Sequence, residues 1–134
     1  MDTLELELPW PPTVNHYKSV GKLVRTKTGK LYQQRHNSDA TKQFYWQVWS
    51  IIVALRTHKG LKSFHDATIS MEIHAYPPDK RKRDLDGILK VLLDALQRAG
   101  VYDDDFQIAR LYVERKNTIA EGKVIVRIKE LICT

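Results

Sequence analysis

An α/β fold of the α+β type, a small mixed β-sheet covered by two helices, follows from three patterns in the chain. Apolar and polar residues alternate over 3–8 and 67–76, as in strands with one buried face. Apolar residues recur at three- and four-residue spacing over 39–57 and 84–99, as in amphipathic helices. Proline and glycine stand at the joins, and no internal repeat, low-complexity segment or linker interrupts the order strand, hairpin, helix, strand, helix, strand, strand.

Each element has a local cause. Leu4, Leu6 and Leu8 face one way and Glu5 and Glu7 the other, until Pro9-Trp10-Pro11-Pro12 stops the strand, because proline lacks the ladder donor and fixes φ. That rigid turn delivers Asn15, His16, Tyr17 and Lys18 to a defined place. Residues 20–35 read as a loose basic hairpin around Thr28-Gly29, carrying Lys22, Arg25, Lys27, Lys30 and Arg35. Ser38 or Asp39 caps a helix running to about Thr57, with Phe44, Val48, Ile51 or Ile52, and Leu55 on its buried face and Gly60 closing it. Tyr45, Trp46 and Trp49 on so apolar a helix read as core or dimer contacts rather than a base-stacking platform. In the next strand Ile69, Met71, Ile73 and Ala75 point inward, and Pro77-Pro78 ends it. A second helix from Asp84 or Asp86 to Ala99 buries Ile88, Leu89, Leu92, Leu93 and Leu96, with Gly100 as a left-handed C-cap. Strands over 106–116 and 123–131 follow, separated by a turn at Glu121-Gly122.

At 134 residues and 43% hydrophobic, the chain is expected to form one domain over 1–134 with its own core. The net charge of +6 suits a polyanionic partner. Cys133 is the only cysteine, so a disulfide within the chain is impossible, and the five histidines never fall at metal-ligand spacing. No apolar run approaches the roughly 20 residues of a membrane span, and the acidic N-terminus is not signal-like, so a soluble cytoplasmic protein is expected.

The chemistry concentrates in Lys80-Arg81-Lys82-Arg83-Asp84-Leu85-Asp86. Four consecutive cations neutralise phosphate charge, and two carboxylates at a helix start offer hard oxygen ligands to Mg²⁺ or Mn²⁺. A third ligand has to come from elsewhere. Asp103-Asp104-Asp105 follows the same helix, yet 15 residues of helix span roughly 22 Å, which separates the two acidic groups. Simpler roles exist as well: an aspartate at a helix start caps free N–H groups, and Lys90 forms an ordinary ion pair with Asp94.

The series Leu8-Pro9-Trp10-Pro11-Pro12-Thr13-Val14-Asn15, Arg83-Asp84-Leu85-Asp86, Lys90, Asp94-Ala95-Leu96, Ala99-Gly100 and Asp104-Asp105 resembles, in order and spacing, the RusA family of Holliday junction resolvases. The similarity runs through nearly the whole chain. It implies a small homodimeric endonuclease, of a kind encoded by bacteria, prophages and phages for DNA recombination and repair. Such an enzyme uses Mg²⁺, with Mn²⁺ as a substitute and no nucleotide cofactor, to cut two opposed strands of a four-way DNA junction symmetrically. By position, the resemblance makes Asp84, Asp86 and Asp105 the metal-binding carboxylates and Lys90 the catalytic lysine, with Asp104 as an adjacent helper. It also implies that the third carboxylate approaches the first two in the folded dimer, and that the nicks leave ligatable 5′-phosphate and 3′-hydroxyl ends. Asn15, Lys18, Lys80, Arg81, Lys82 and Arg83 are then the DNA-binding residues. Two departures stand out: Gly87 occupies the position after the second aspartate where the family commonly has asparagine, and Asp103 is an extra acid beside the usual pair. The rivals are a non-catalytic junction- or duplex-binding protein, whose aspartates only cap a helix, and a regulatory phage protein whose basic block is a solvated face.

Overall fold

In a computed structural model that describes residues 3–13, 18–25 and 31–132, the chain forms a mixed four-stranded sheet, a separate hairpin and two helices. The main sheet contains β1 (Leu4–Pro9), β4 (Ile69–Tyr76), β5 (Ile108–Arg115) and β6 (Lys123–Glu130), in the order β1-β6-β4-β5. β6 lies antiparallel to both β1 and β4, whereas β4 and β5 are parallel, so the expected mixed α+β sheet is present. The hairpin pairs β2 (Lys18–Arg25) with β3 (Leu31–Asn37), with a register shift between Val20 and Leu23; the expected turn at Thr28-Gly29 lies outside the described residues.

The alternating patterns resolve into two faces. Leu6 and Leu8, Ile69, Met71, Ile73 and Ala75, and Val124, Val126 and Ile128 are buried on the face that meets the helices. Glu5, Arg127 and Glu72 form a row across the other face, in register over three strands. Helix α1 (Asp39–Lys59) starts at Ser38, whose hydroxyl accepts from the Thr41 N–H, and ends at Gly60 with φ at 67°. Phe44, Val48 and Ile52 are its buried stripe.

Trp46 and Trp49 fall off that stripe and are 65% and 49% exposed, so they are not core residues of the single chain. Tyr45 is partly buried, with the Arg98 guanidinium 4.6 Å from its ring centre, where it joins α1 to the second helix.

The second helix opens differently from the regular start expected at Asp84 or Asp86. A 3₁₀ turn over Leu85–Ile88 comes first, closed by Gly87 N–H to Asp84 C=O and Leu89 N–H to Asp86 C=O, and α2 proper runs Leu89–Arg98. With no side-chain cap to hold an open first turn, the backbone tightens to satisfy its own donors. The far end is as expected: Gly100, at φ 81°, carries a Schellman motif, with Val101 N–H donating to Leu96 C=O and Gly100 N–H to Gln97 C=O. Arg56 from α1 caps the same end through the carbonyls of Ala99 and Gly100 at 2.8 and 2.9 Å.

Candidate active site

β4 and β5 run in the same direction, so the chain segments leaving their carboxyl ends emerge at one end of the sheet. From β4 comes Pro77 through Asp86, and from β5 come Arg115 and Lys116. The two segments meet, with Arg115 Nη2 donating to the carbonyl of Arg83. They enclose a cleft with Trp10 of the proline-rich turn and Ile88 of the 3₁₀ turn.

The basic block is folded rather than extended. The Asp79 carboxylate takes Arg83 Nη1 at 2.8 Å and the Arg81 N–H at 2.9 Å, and the Arg83 guanidinium sits 6.0 Å from the Trp10 ring centre. Arg83 is therefore turned inward, with its side chain 18% exposed, and Arg81 outward at 83%. Lys80 and Lys82 are exposed as well. Of the four cations expected to grip phosphates, three are open to solvent and the fourth shapes the turn that presents them. Asn15 lies outside the described residues, and so does the side chain of Lys18 at the start of β2.

Asp84 is extended, at φ −81° and ψ 141°, and occupies the N-cap position without making a side-chain cap bond. Asp86 lies in the 3₁₀ turn, and both residues are exposed. Among the described residues no hydrogen bond or ion pair takes up either carboxylate, so capping does not account for them. Lys90, one turn further on, is 59% exposed and pairs with Asp94 at 3.3 Å, the ordinary i,i+4 contact.

Asp105 stands elsewhere. It opens the 3₁₀ turn Asp105–Gln107 before β5, and its N–H donates to Gln97 Oε1 in the last turn of α2. The ten residues of α2, about 15 Å long, separate it from the 3₁₀ turn that holds Asp86. Burial, followed by the hydrogen bond and charge of Asp104, holds the Asp105 carboxyl above its usual range, with Lys90 opposing. Asp104 closes the turn that follows it. Its carboxylate accepts from the Phe106 N–H at 3.0 Å while Gln107 Oε1 accepts from the Asp104 N–H at 2.7 Å, a complete capping box. Asp103 is exposed, and its N–H also donates to Gln107 Oε1. Among the described residues of one chain, no three His, Cys, Asp or Glu side chains come together to hold a metal ion.

Arg115 and Asp79 escaped the sequence reading, and only the run of acid and base around residue 80 hints at Asp79. Arg115 is 32 residues from the carbonyl it holds, a pairing that only the parallel strands create.

A profile of the endodeoxyribonuclease RusA family matches residues 9–129. Over 131 residues, 98% of each chain, the protein is 33% identical to the crossover junction endodeoxyribonuclease of Enterobacteria phage HK97. It is 30% identical, over the same length and share, to those of Shigella sonnei and Enterobacteria phage 82. With a family match over nearly its whole length and relatives covered end to end, this chain belongs to the RusA endodeoxyribonuclease family.

Proposed function

We propose that the protein is a Mg²⁺-dependent, structure-selective endodeoxyribonuclease that resolves Holliday junctions by paired symmetric nicks. The observation that carries this reading is the pair of exposed carboxylates, Asp84 and Asp86, uncommitted by capping and set directly after Lys80, Arg81 and Lys82. The crossover junction activity named for the relatives supports it.

The donor set suits a hard cation, because Asp84 and Asp86 offer oxygen only and the crowding of Asp105 against Asp104 is relieved by positive charge. Bound there, Mg²⁺ supplies a Lewis acid that neutralises non-bridging phosphate oxygens and makes water acidic enough to attack at neutral pH. Asp84, at the N-cap position, and Asp86, in the 3₁₀ turn, would hold that ion. Asp105, whose backbone is held at the far end of α2 in its own chain, would complete the set from a second copy, which makes the working enzyme a homodimer. Support for this comes from the edge position of β5, from Phe106 next to Asp105, 91% exposed, and from exposed apolar side chains further along β5, Leu111 at 42% and Tyr112 at 51%. A two-fold dimer also matches the two equivalent strands of a junction. Lys90 exchanges its contact with Asp94 for the scissile phosphate and stabilises the charge that develops there. Lys80, Arg81 and Lys82 hold backbone phosphates by charge, favouring shape over base sequence.

The decisive experiment is incubation of the purified protein with a synthetic four-way DNA junction, with and without Mg²⁺, beside Asp86→Asn, resolved on a denaturing gel. Paired nicks with ligatable ends that require Mg²⁺ and vanish in the variant are expected. Tight junction binding with no cleavage in Mg²⁺ or Mn²⁺ would leave a binding protein on the same scaffold.

A further inference from the structure

We infer that Arg115, at the carboxyl end of β5, is a phosphate-binding residue of the nuclease site and grips a phosphodiester group flanking the one that is cut. This rests on the nuclease reading above and adds to it a side chain from a strand remote in sequence. The cleft beside Asp84 has a volume of about 230 Å³, several times the ~30 Å³ share of one water molecule, and so has room for a phosphate group.

The cations around this cleft differ in how far their charge is already matched. Arg83 is paired with Asp79, and Lys116 with Glu114. Arg115 donates one Nη2 hydrogen to the neutral carbonyl of Arg83, and among the described residues no carboxylate neutralises it. Its side chain is thus anchored while its full charge and the rest of its planar fork remain available, the form in which arginine binds phosphate best. The carbonyl that anchors it belongs to the residue immediately before Asp84, so a phosphate held by Arg115 is set in a fixed relation to the candidate metal-binding carboxylates. Trp10 and Ile88 close the apolar side of the cleft and strengthen the charge interaction by excluding water.

The test compares wild type, Arg115→Gln and Arg115→Lys for binding of a labelled four-way junction in EDTA over a series of salt concentrations, with thermal melts of each. Expected are a three- to tenfold weaker Kd for Arg115→Gln and a salt dependence shallower by about one unit of log Kd per log salt, with melting unchanged. Arg115→Lys is expected to keep the wild-type slope, because it keeps the charge. A wild-type Kd and slope in Arg115→Gln would overturn the inference, even if cleavage fell, since Arg115 would then only brace the Arg83 carbonyl. Wild-type protein that neither binds nor nicks the junction would overturn the nuclease reading itself, so the two failures are distinguishable.

Discussion

Asp79 and Arg83 form the closest ion pair of the basic segment, 2.8 Å between Oδ1 and Nη1, and through it the first acid of the turn restrains its last base. The hydrogen bond from Arg83, then that from the Arg81 N–H, lowers the Asp79 carboxyl from its ordinary 3.8 to about 2. Because the folded value lies below the unfolded one, the pair contributes fully above about pH 4 and is lost as pH falls through about 2. An NMR titration should place the Asp79 midpoint near 2 in the native protein and raise it in Arg83→Gln towards, but not fully to, the ordinary carboxylate value, because the Arg81 N–H bond remains. An unchanged midpoint in the variant would mean that Arg83 does not hold this carboxylate.

The proposed assembly of the site from two chains predicts complementation. Asp86→Asn and Asp105→Asn should each be inactive alone, with cleavage lowered by at least ~10²-fold. Mixed and allowed to exchange subunits, they should regain nicking, because the heterodimer pairs the intact Asp84 and Asp86 of one chain with the intact Asp105 of the other. Single nicks in junctions are the expected product. A mixture as dead as its parents, in a sample shown to contain heterodimer, would place all three carboxylates within one chain.

Phe106 offers an independent check on the same assembly. Its ring is 91% exposed directly beside Asp105, more than any other large hydrophobic side chain among the described residues. Phe106→Ala should shift a sedimentation profile towards monomer and leave the melting of the monomer nearly unchanged, since little contact within the chain is removed. A dimer of undiminished stability would move the interface elsewhere, Trp46 and Trp49 being the next exposed aromatic pair.

Two glycines in or beside α2 should respond in opposite ways. A Cβ at Gly100 would meet Arg56 Nη2 at 2.7 Å and would have to sit at φ 81°, so Gly100→Ala is expected to cost about 1–3 kcal/mol and lower Tm measurably. A Cβ at Gly87 meets nothing within 4 Å. Gly87→Asn, which installs the residue usual in the family, should therefore fold normally, and its cleavage rate would show what that amide adds next to Asp86.

Most of the fold was legible because local period encodes which face is buried. Leu6 and Leu8, Ile69 to Ala75, and the two left-handed glycines at 60 and 100 all behave as their spacing and chemistry require. Period does not encode partners. That Trp46 and Trp49 turn away from the core depends on where α1 meets the sheet, and the inward turn of Arg83 depends on Asp79 folding back four residues. The 3₁₀ opening of the second helix was hidden for a similar reason, since an aspartate at a helix start reads as a cap until its carboxylate is seen to make no such bond. The separation of Asp105 from Asp84 and Asp86 was visible from helix length alone, and the structure retains it.

The row Glu5, Arg127 and Glu72, together with Lys123 held to Glu7 at 2.7 Å, has a consequence for how the molecule meets its substrate. These five side chains carry three negative and two positive charges on the helix-free side of the sheet, so together they add nothing to the positive excess of +6. Part of the excess acts from the end of the sheet where Lys80, Arg81, Lys82 and Arg115 lie, and part is carried by the basic segment over 18–35, so the positive charge is unevenly spread over the protein. A diffusing protein is thereby rotated before it touches DNA, and low salt should quicken productive encounters as well as tighten the final complex.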